Sequence, residues 1–162
     1  MAATYEPIAT NTVSGSSTTT ITFSSIPATY TDLILITQQS NSSNQSSYLR
    51  VNGDTGSNYS STYLGGDGSS SYSGRRTNQT SFINDFATTY TSLAMDIIHF
   101  MNYANTTTYK TIIGRDSVAS VSVATAVGLW RSTAAINSIS LQVAGGNLVA
   151  GSTFTLYGIK AA

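Results

Sequence analysis

Gly128-Leu-Trp-Arg-Ser-Thr-Ala-Ala-Ile-Asn-Ser-Ile-Ser-Leu-Gln-Val143, then Ala144-Gly-Gly-Asn147, then Thr153-Phe-Thr-Leu-Tyr-Gly-Ile-Lys160 is the stretch whose reading decides the fold. Ile136, Ile139, Leu141 and Val143 supply the apolar positions of one extended segment. Phe154 and Leu156 do so in the next, with Ile159 following after Gly158. Alternation of apolar and polar residues at period two is the mark of a half-buried strand. The glycine-rich link between the segments reads as a turn, so the pair is expected to be two strands joined by it. The chain closes two residues after Lys160, as expected of a compact β-module with no trailing signalling, export or catalytic segment.

The rest of the chain extends the pattern. Tyr5 to Val13 reads as an extended segment, an N-terminal arm or an edge strand over residues 1–13. Thr20-Ile-Thr-Phe23 alternates, and Pro27 ends it. Asp32-Leu-Ile-Leu-Ile-Thr37 is nearly all apolar and reads as a central strand buried on both faces. Tyr48-Leu-Arg-Val51 leads into Asn52-Gly53, a hairpin signal whose expected partner is Tyr59 to Leu64. Gly65 to Thr80 is Gly/Ser-rich and reads as the longest irregular loop. Ser92–Tyr103, Tyr109–Arg115 and Val118–Trp130 follow as strands. The one weak helix candidate is Asn84–Leu93, where Thr-Thr-Tyr-Thr argues against it. About 8–10 short antiparallel strands with frequent turn signals predict an all-β, single-domain β-sandwich of jelly-roll type.

Composition narrows the function. Only 9% of the 162 residues are charged, and seven basic residues balance seven acidic ones. No basic field exists to draw nucleic acid or an anionic membrane. Ser and Thr make up about a third of the chain, so hydroxyls carry the polar surface. Cysteine is absent, which removes disulfide and thiol chemistry. The N-terminus has neither a charged leader nor an apolar core of a signal peptide, and no apolar run approaches the roughly 20 residues of a membrane helix. Synthesis in a cytoplasm is expected, with release by a route such as cell lysis.

Chemistry-bearing patterns are sparse. His99 is the only histidine. In a strand it faces away from Asp96, three residues earlier, so a nucleophile–base–acid set finds no support, and a packed strand residue is the expected role. Asn52-Gly-Asp-Thr-Gly-Ser-Asn58 and Gly65-Gly-Asp-Gly-Ser69 resemble oxygen-donor calcium loops, but each holds one carboxylate and turns explain both. No paired carboxylates of a glycosidase stand out. No cofactor, metal or catalytic residue is therefore expected. Arg75-Arg76 is the one adjacent like-charged pair; it reads either as a solvated loop tip or as an anchor to an acidic patch on a neighbouring subunit. Tyr48, Tyr59, Tyr63 and Tyr72 sit among Ser, Gly and Asn. That composition suits adaptable contact surfaces, and equally suits tyrosines facing a core. Trp130, with Arg131, reads as a strand-end core anchor in preference to an interface hot spot.

Ala3-Thr-Tyr-Glu-Pro-Ile-Ala-Thr10, Ser25-Ile-Pro-Ala-Thr-Tyr-Thr-Asp-Leu33, Met101-Asn-Tyr-Ala-Asn-Thr-Thr-Thr-Tyr-Lys-Thr111, Gly128 to Ile139 and Gly151-Ser-Thr-Phe-Thr-Leu-Tyr-Gly-Ile159 occur in an order that resembles a family of small virion structural proteins of tailed bacteriophages, including those infecting cyanobacteria. The resemblance spans nearly the whole chain outside Ser40–Thr80. It implies a non-enzymatic β-sandwich on the virion surface, most simply a trimeric decoration (cement) protein. Such a protein would bind the major capsid protein or other virion proteins and stabilise the assembled shell by mass action. The alternative is a tail or fibre-tip module that recognises host-surface glycan through its tyrosines. On either reading the contact candidates are Tyr5, Tyr48, Tyr59, Tyr63, Arg75 and Arg76.

Overall fold

A computed structural model describes residues 4–86 and 89–160. Twelve strands run in chain order: β1 (Tyr5–Thr12), β2 (Thr20–Phe23), β3 (Asp32–Gln39), β4 (Ser47–Val51), β5 (Tyr59–Gly66), β6 (Ser71–Gln79), β7 (Phe82–Ile83), β8 (Ala94–Phe100), β9 (Lys110–Val118), β10 (Ser122–Trp130), β11 (Ile139–Val143) and β12 (Thr153–Ile159). They form two antiparallel sheets, an eight-stranded one in the order β1-β12-β3-β8-β9-β10-β5-β6 and a four-stranded one in the order β2-β11-β4-β7. The protein is an all-β sandwich. No helix occurs among the described residues, including those of Asn84–Leu93; residues 87 and 88 lie outside them.

The core lies where the sheets face each other. Leu33, Leu35, Ile98, Phe100, Ile112, Phe154 and Leu156 project from the large sheet, and Phe23, Leu49, Val51, Phe82, Ile139 and Leu141 from the small one. Across β9 and β10 the inward positions shrink to Gly114, Ala126 and Gly128. The aromatic rings of Phe82 and Phe86 fill that space, meeting edge to face with centroids 4.9 Å apart. A Cβ at Gly128 would come within 2.5 Å of Phe82 and 2.7 Å of Phe86. Small residues below large ones let the layers interdigitate.

Four expectations need correction. First, the closing strands do not pair with each other: β11 belongs to the small sheet and β12 to the large one. The Gly145-Gly146 link is an arch across the sandwich, held by Asn41 Nδ2 donating to the Gly145 carbonyl at 2.9 Å and anchored by fully buried Leu148. Second, Asn52-Gly53 makes a tight turn with positive φ at both residues (53° and 62°), but β4 and β5 again lie in different sheets. Third, β3 is central yet buried on one face only; Ile36 is exposed and Ile34 half-exposed. Fourth, most of 65–80 is strand: β5 and β6 form a hairpin turned by Asp67–Ser70. Backbone pairing along an edge strand needs no apolar alternation, which is why composition hid β6.

Asn52 also decides why the chain is not extended between Trp130 and Ile139. Its amide donates to the Ala135 carbonyl at 2.8 Å and accepts from the backbone N–H of Asn137 at 2.9 Å and Ser138 at 3.2 Å. These bonds hold 135–138 as a loop that still buries Ile136. Asn52→Ala is expected to cost about 1–3 kcal/mol by orphaning those groups and by putting alanine, which tolerates the left-handed region less well than asparagine, at φ 53°. Asn52→Gly, which tolerates the φ, separates the two contributions in urea unfolding.

Candidate functional site

The structure leaves two surfaces that could meet a partner. The first is the outward face of the eight-stranded sheet. Antiparallel register aligns its side chains into rows. One row runs Tyr157, Ile34, His99, Ile113, Val127, Thr62 and Arg75; the next runs Thr155, Ile36, Ile97, Arg115, Thr125 and Leu64. Met95, Val123 and Leu129 flank these rows, and Val123 is 61% exposed. A shallow hollow of about 340 Å³ lies among Ile34, Ile97, His99, Ile113 and Arg115. A contiguous apolar sheet face of this kind marks an interaction surface more strongly than scattered exposed residues do.

Polar groups are interspersed in these rows: His99, Thr62, Thr125, Thr155, Arg75 and Arg115. His99, expected as a packed strand residue, is on β8 with its side chain outward and one-third exposed, its Nε2 2.9 Å from Asp32 Oδ2. The other Asp32 oxygen accepts from the backbone N–H of Asn102 at 2.6 Å, fixing the turn after β8. Arg75 and Arg115 both stand exposed, so the face is apolar with a cationic bias.

The second surface is a basin at the inward side of the β5–β6 edge, beyond the reach of the smaller sheet. It has a volume of about 240 Å³ and is lined by Tyr63, Tyr72, Tyr90, Arg76, Asp85 and Asp116, among others. Tyr63 on β5 lies opposite Gly74 on β6, and Tyr72 on β6 lies opposite Gly65 on β5. Each ring reaches across to the other strand's glycine, its hydroxyl end nearest: a Cβ at Gly74 would come 2.4 Å from the Tyr63 hydroxyl, and one at Gly65 2.5 Å from that of Tyr72. The Arg76 guanidinium sits 4.3 Å from the Tyr63 ring centroid and pairs with Asp85. Ser61 Oγ donates to the other Asp85 oxygen at 2.7 Å. Burial pushes the Asp85 carboxyl above its ordinary range, against the lowering effect of the Ser61 and Arg76 contacts.

The sequence candidates scatter over these surfaces. Tyr63 and Arg76 meet in the basin. Arg75 points to the opposite face of the same strand, so the pair is not a loop tip and its two members serve different surfaces. Tyr5, more than half exposed, lies on the other edge strand, β1. Tyr48 is on the small sheet, with the Arg50 guanidinium 5.6 Å from its ring centroid. Tyr59 cannot serve as a contact residue: it is fully buried, and its hydroxyl donates to the Asp54 carbonyl at 2.9 Å. Burial pushes its phenol up to about 12. Tyr90, Asp85 and Asp116 were not among the candidates. The signal for the ring pair is the repeated Tyr-X-Gly spacing, Tyr63-Leu-Gly65 and Tyr72-Ser-Gly74, which antiparallel pairing turns into two reciprocal ring-on-glycine contacts.

Both calcium-like loops are used structurally. Asp54 accepts from the Trp130 indole at 2.7 Å, the Asn58 amide at 2.9 Å and the Gly56 N–H at 2.7 Å. Asp67 accepts from the backbone N–H groups of Ser69 and Ser70, which hold its carboxyl well below the usual range. Among the described residues no group of three or more His, Cys, Asp or Glu is placed to hold a metal ion.

No family model matches the chain, and no curated protein does. Among solved structures, the galectin LEC-6 of Caenorhabditis elegans is similar over 94% of this chain and 96% of that one, with 9% identity and a TM-score of 0.37.

Proposed function

We propose that this protein is a non-enzymatic structural component of a virus particle, a decoration protein that docks through the outward face of its eight-stranded sheet. The observation that carries the reading is that face. Five adjacent strands, β3, β8, β9, β10 and β5, present isoleucine, valine, leucine and methionine to solvent. At ordinary strand spacing this patch measures roughly 20 by 25 Å, about 500 Å² in plan, against about 800 Å² per side for a standard interface. The sequence resemblance to phage virion proteins supports the same reading.

Charge selects the kind of partner. A second copy docked face to face would bring Arg115 and Arg75 into an arginine-bearing surface, and like charges opposed at an interface are costly. The fitting partner is an apolar surface carrying carboxylates, on another subunit of the shell. Attachment that requires the assembled shell stabilises that shell by mass action.

Ile113→Lys with Val127→Lys is expected to abolish incorporation into particles while destabilising the isolated protein by only about 1–2 kcal/mol, because the two lysines lie directly opposite each other across β9 and β10 and repel. Arg115→Glu should weaken attachment by charge alone. Gold-labelled antibody on intact particles should mark the head at high copy number. Label confined to the tail end, or normal incorporation of the double-lysine variant, would overturn the reading.

A further inference from the structure

We infer that the basin framed by Tyr63, Tyr72 and Tyr90 is a binding site for a neutral pyranose unit, a second function on a surface separate from the docking face. Tyr63 and Tyr72 point to the inward side of β5 and β6, whereas Ile113, Val127 and Arg115 point outward, so the two sites can be occupied together.

Three observations converge on a sugar ring. The first is the pose of the tyrosines. The missing β-carbons of Gly65 and Gly74 let the rings lie along the sheet rather than stand from it. Arg76 covers Tyr63, which leaves Tyr72, 41% exposed, as the open platform. A flat ring held in advance offers apolar contact to the C–H face of a sugar at little entropic cost. The second is the polar wall. The Asp85 side chain is almost wholly buried while Arg76 remains 28% exposed and paired with it, and buried Asp116 lies nearby. Both Asp85 oxygens are taken by Arg76 and Ser61, so what the wall offers a ligand rich in hydroxyl groups is the exposed guanidinium of Arg76, from which hydroxyls accept, and the phenol oxygens of the lining tyrosines, to which they donate. An anion would face two aspartates, a cation would face Arg76, and an apolar ligand would strip solvent from ionised groups without replacing it. The third is size. A volume of about 240 Å³ falls below the usual 300–1,000 Å³ of drug-sized clefts and suits a single ring whose linked neighbours run out past the β6 edge.

The test is NMR titration of the ¹⁵N-labelled full chain with D-glucose, D-galactose, D-mannose and N-acetyl-D-glucosamine in turn. Saturable amide shifts confined to Gly65, Tyr72, Gly74, Arg76 and their neighbours are expected with at least one sugar. Tyr72→Ala should raise Kd at least about tenfold, Tyr72→Phe should keep most of the affinity, and Arg75→Gln, on the opposite face, should change nothing. No saturable shift with any of the four sugars, shifts centred on the outward face, or binding that survives Tyr72→Ala would overturn the assignment. The wild-type shift map decides even if the alanine variant fails to fold. The docking face is tested separately, by incorporation into particles.

Discussion

Trp130→Ala is expected to remove about 3–5 kcal/mol of stability, a large share of the 5–15 kcal/mol that holds a typical domain. The side chain is 2% exposed at the end of β10, and two things are lost together. One is the apolar volume of the indole. The other is the bond from the indole N–H to Asp54, which organises the 54–58 loop together with the Asn58 and Gly56 contacts. Trp130→Phe separates them: it keeps most of the packing and should cost about 1–3 kcal/mol, the price of a part-buried carboxylate that loses a donor. The pH dependence gives an independent reading. Burial raises the Asp54 carboxyl, but the bonds from Trp130, Asn58 and Gly56 outweigh it, and the net shift is below the ordinary 3.8. A carboxyl whose folded-state pKa is depressed stabilises the fold above its unfolded value and loses that contribution as pH falls through the folded one. The wild type should therefore weaken below about pH 4, and Trp130→Phe should flatten that limb. Urea midpoints measured at several pH values check both; an unchanged acid limb would remove Asp54 from this role.

The second large effect lies where the small sheet meets the glycine ledge of the large one. Phe86→Ala is expected to cost about 3–5 kcal/mol. Gly128→Ala is expected to cost about 1–3 kcal/mol by overpacking, because the new methyl would enter the space of both Phe82 and Phe86. The two changes are coupled. Removing the Phe86 ring relieves part of the clash at Gly128, so the double variant should be less destabilised than the sum of the singles. Neighbours of this kind couple by about 0.5–3 kcal/mol. Strict additivity would mean that the ring does not rest on Gly128.

These positions illustrate how unevenly the sequence spoke. Gly128 sits in an apolar run, and nothing local marks it as a ledge for a phenylalanine some forty residues earlier. Trp130 was legible as a core anchor because a large aromatic at a strand end has few other uses. Its polar partner was not, since Asp54 belongs to a loop that looked self-sufficient. Tyr63, a candidate from composition, and Arg76, a candidate from the adjacent arginine pair, lie together in the basin. Tyr59, four residues before Tyr63 in the same strand, carried the same signal and went to the core.

What the sequence determined by itself was the class of fold and the location of most strands. Period-two alternation is local, and Ile139–Val143 and Thr153–Ile159 would be strands in any partner arrangement. It also determined the scarcity and overall balance of charge. Only the tertiary structure decided which strand pairs with which. A strand exposes the same backbone donors and acceptors on both edges, so the link after Val143 or the turn at Asn52-Gly53 is as compatible with an arch between sheets as with a hairpin within one. The choice was made by distant groups: Leu148 buried and Asn41 bonded across the arch, and the Asn52 amide holding 135–138. The same long-range pairing decided which side of β3, β5 and β6 faces water. It thereby turned Ile36 outward and brought Tyr63 and Tyr72 across to Gly74 and Gly65, because the face a strand presents is fixed by the layer that covers its other side.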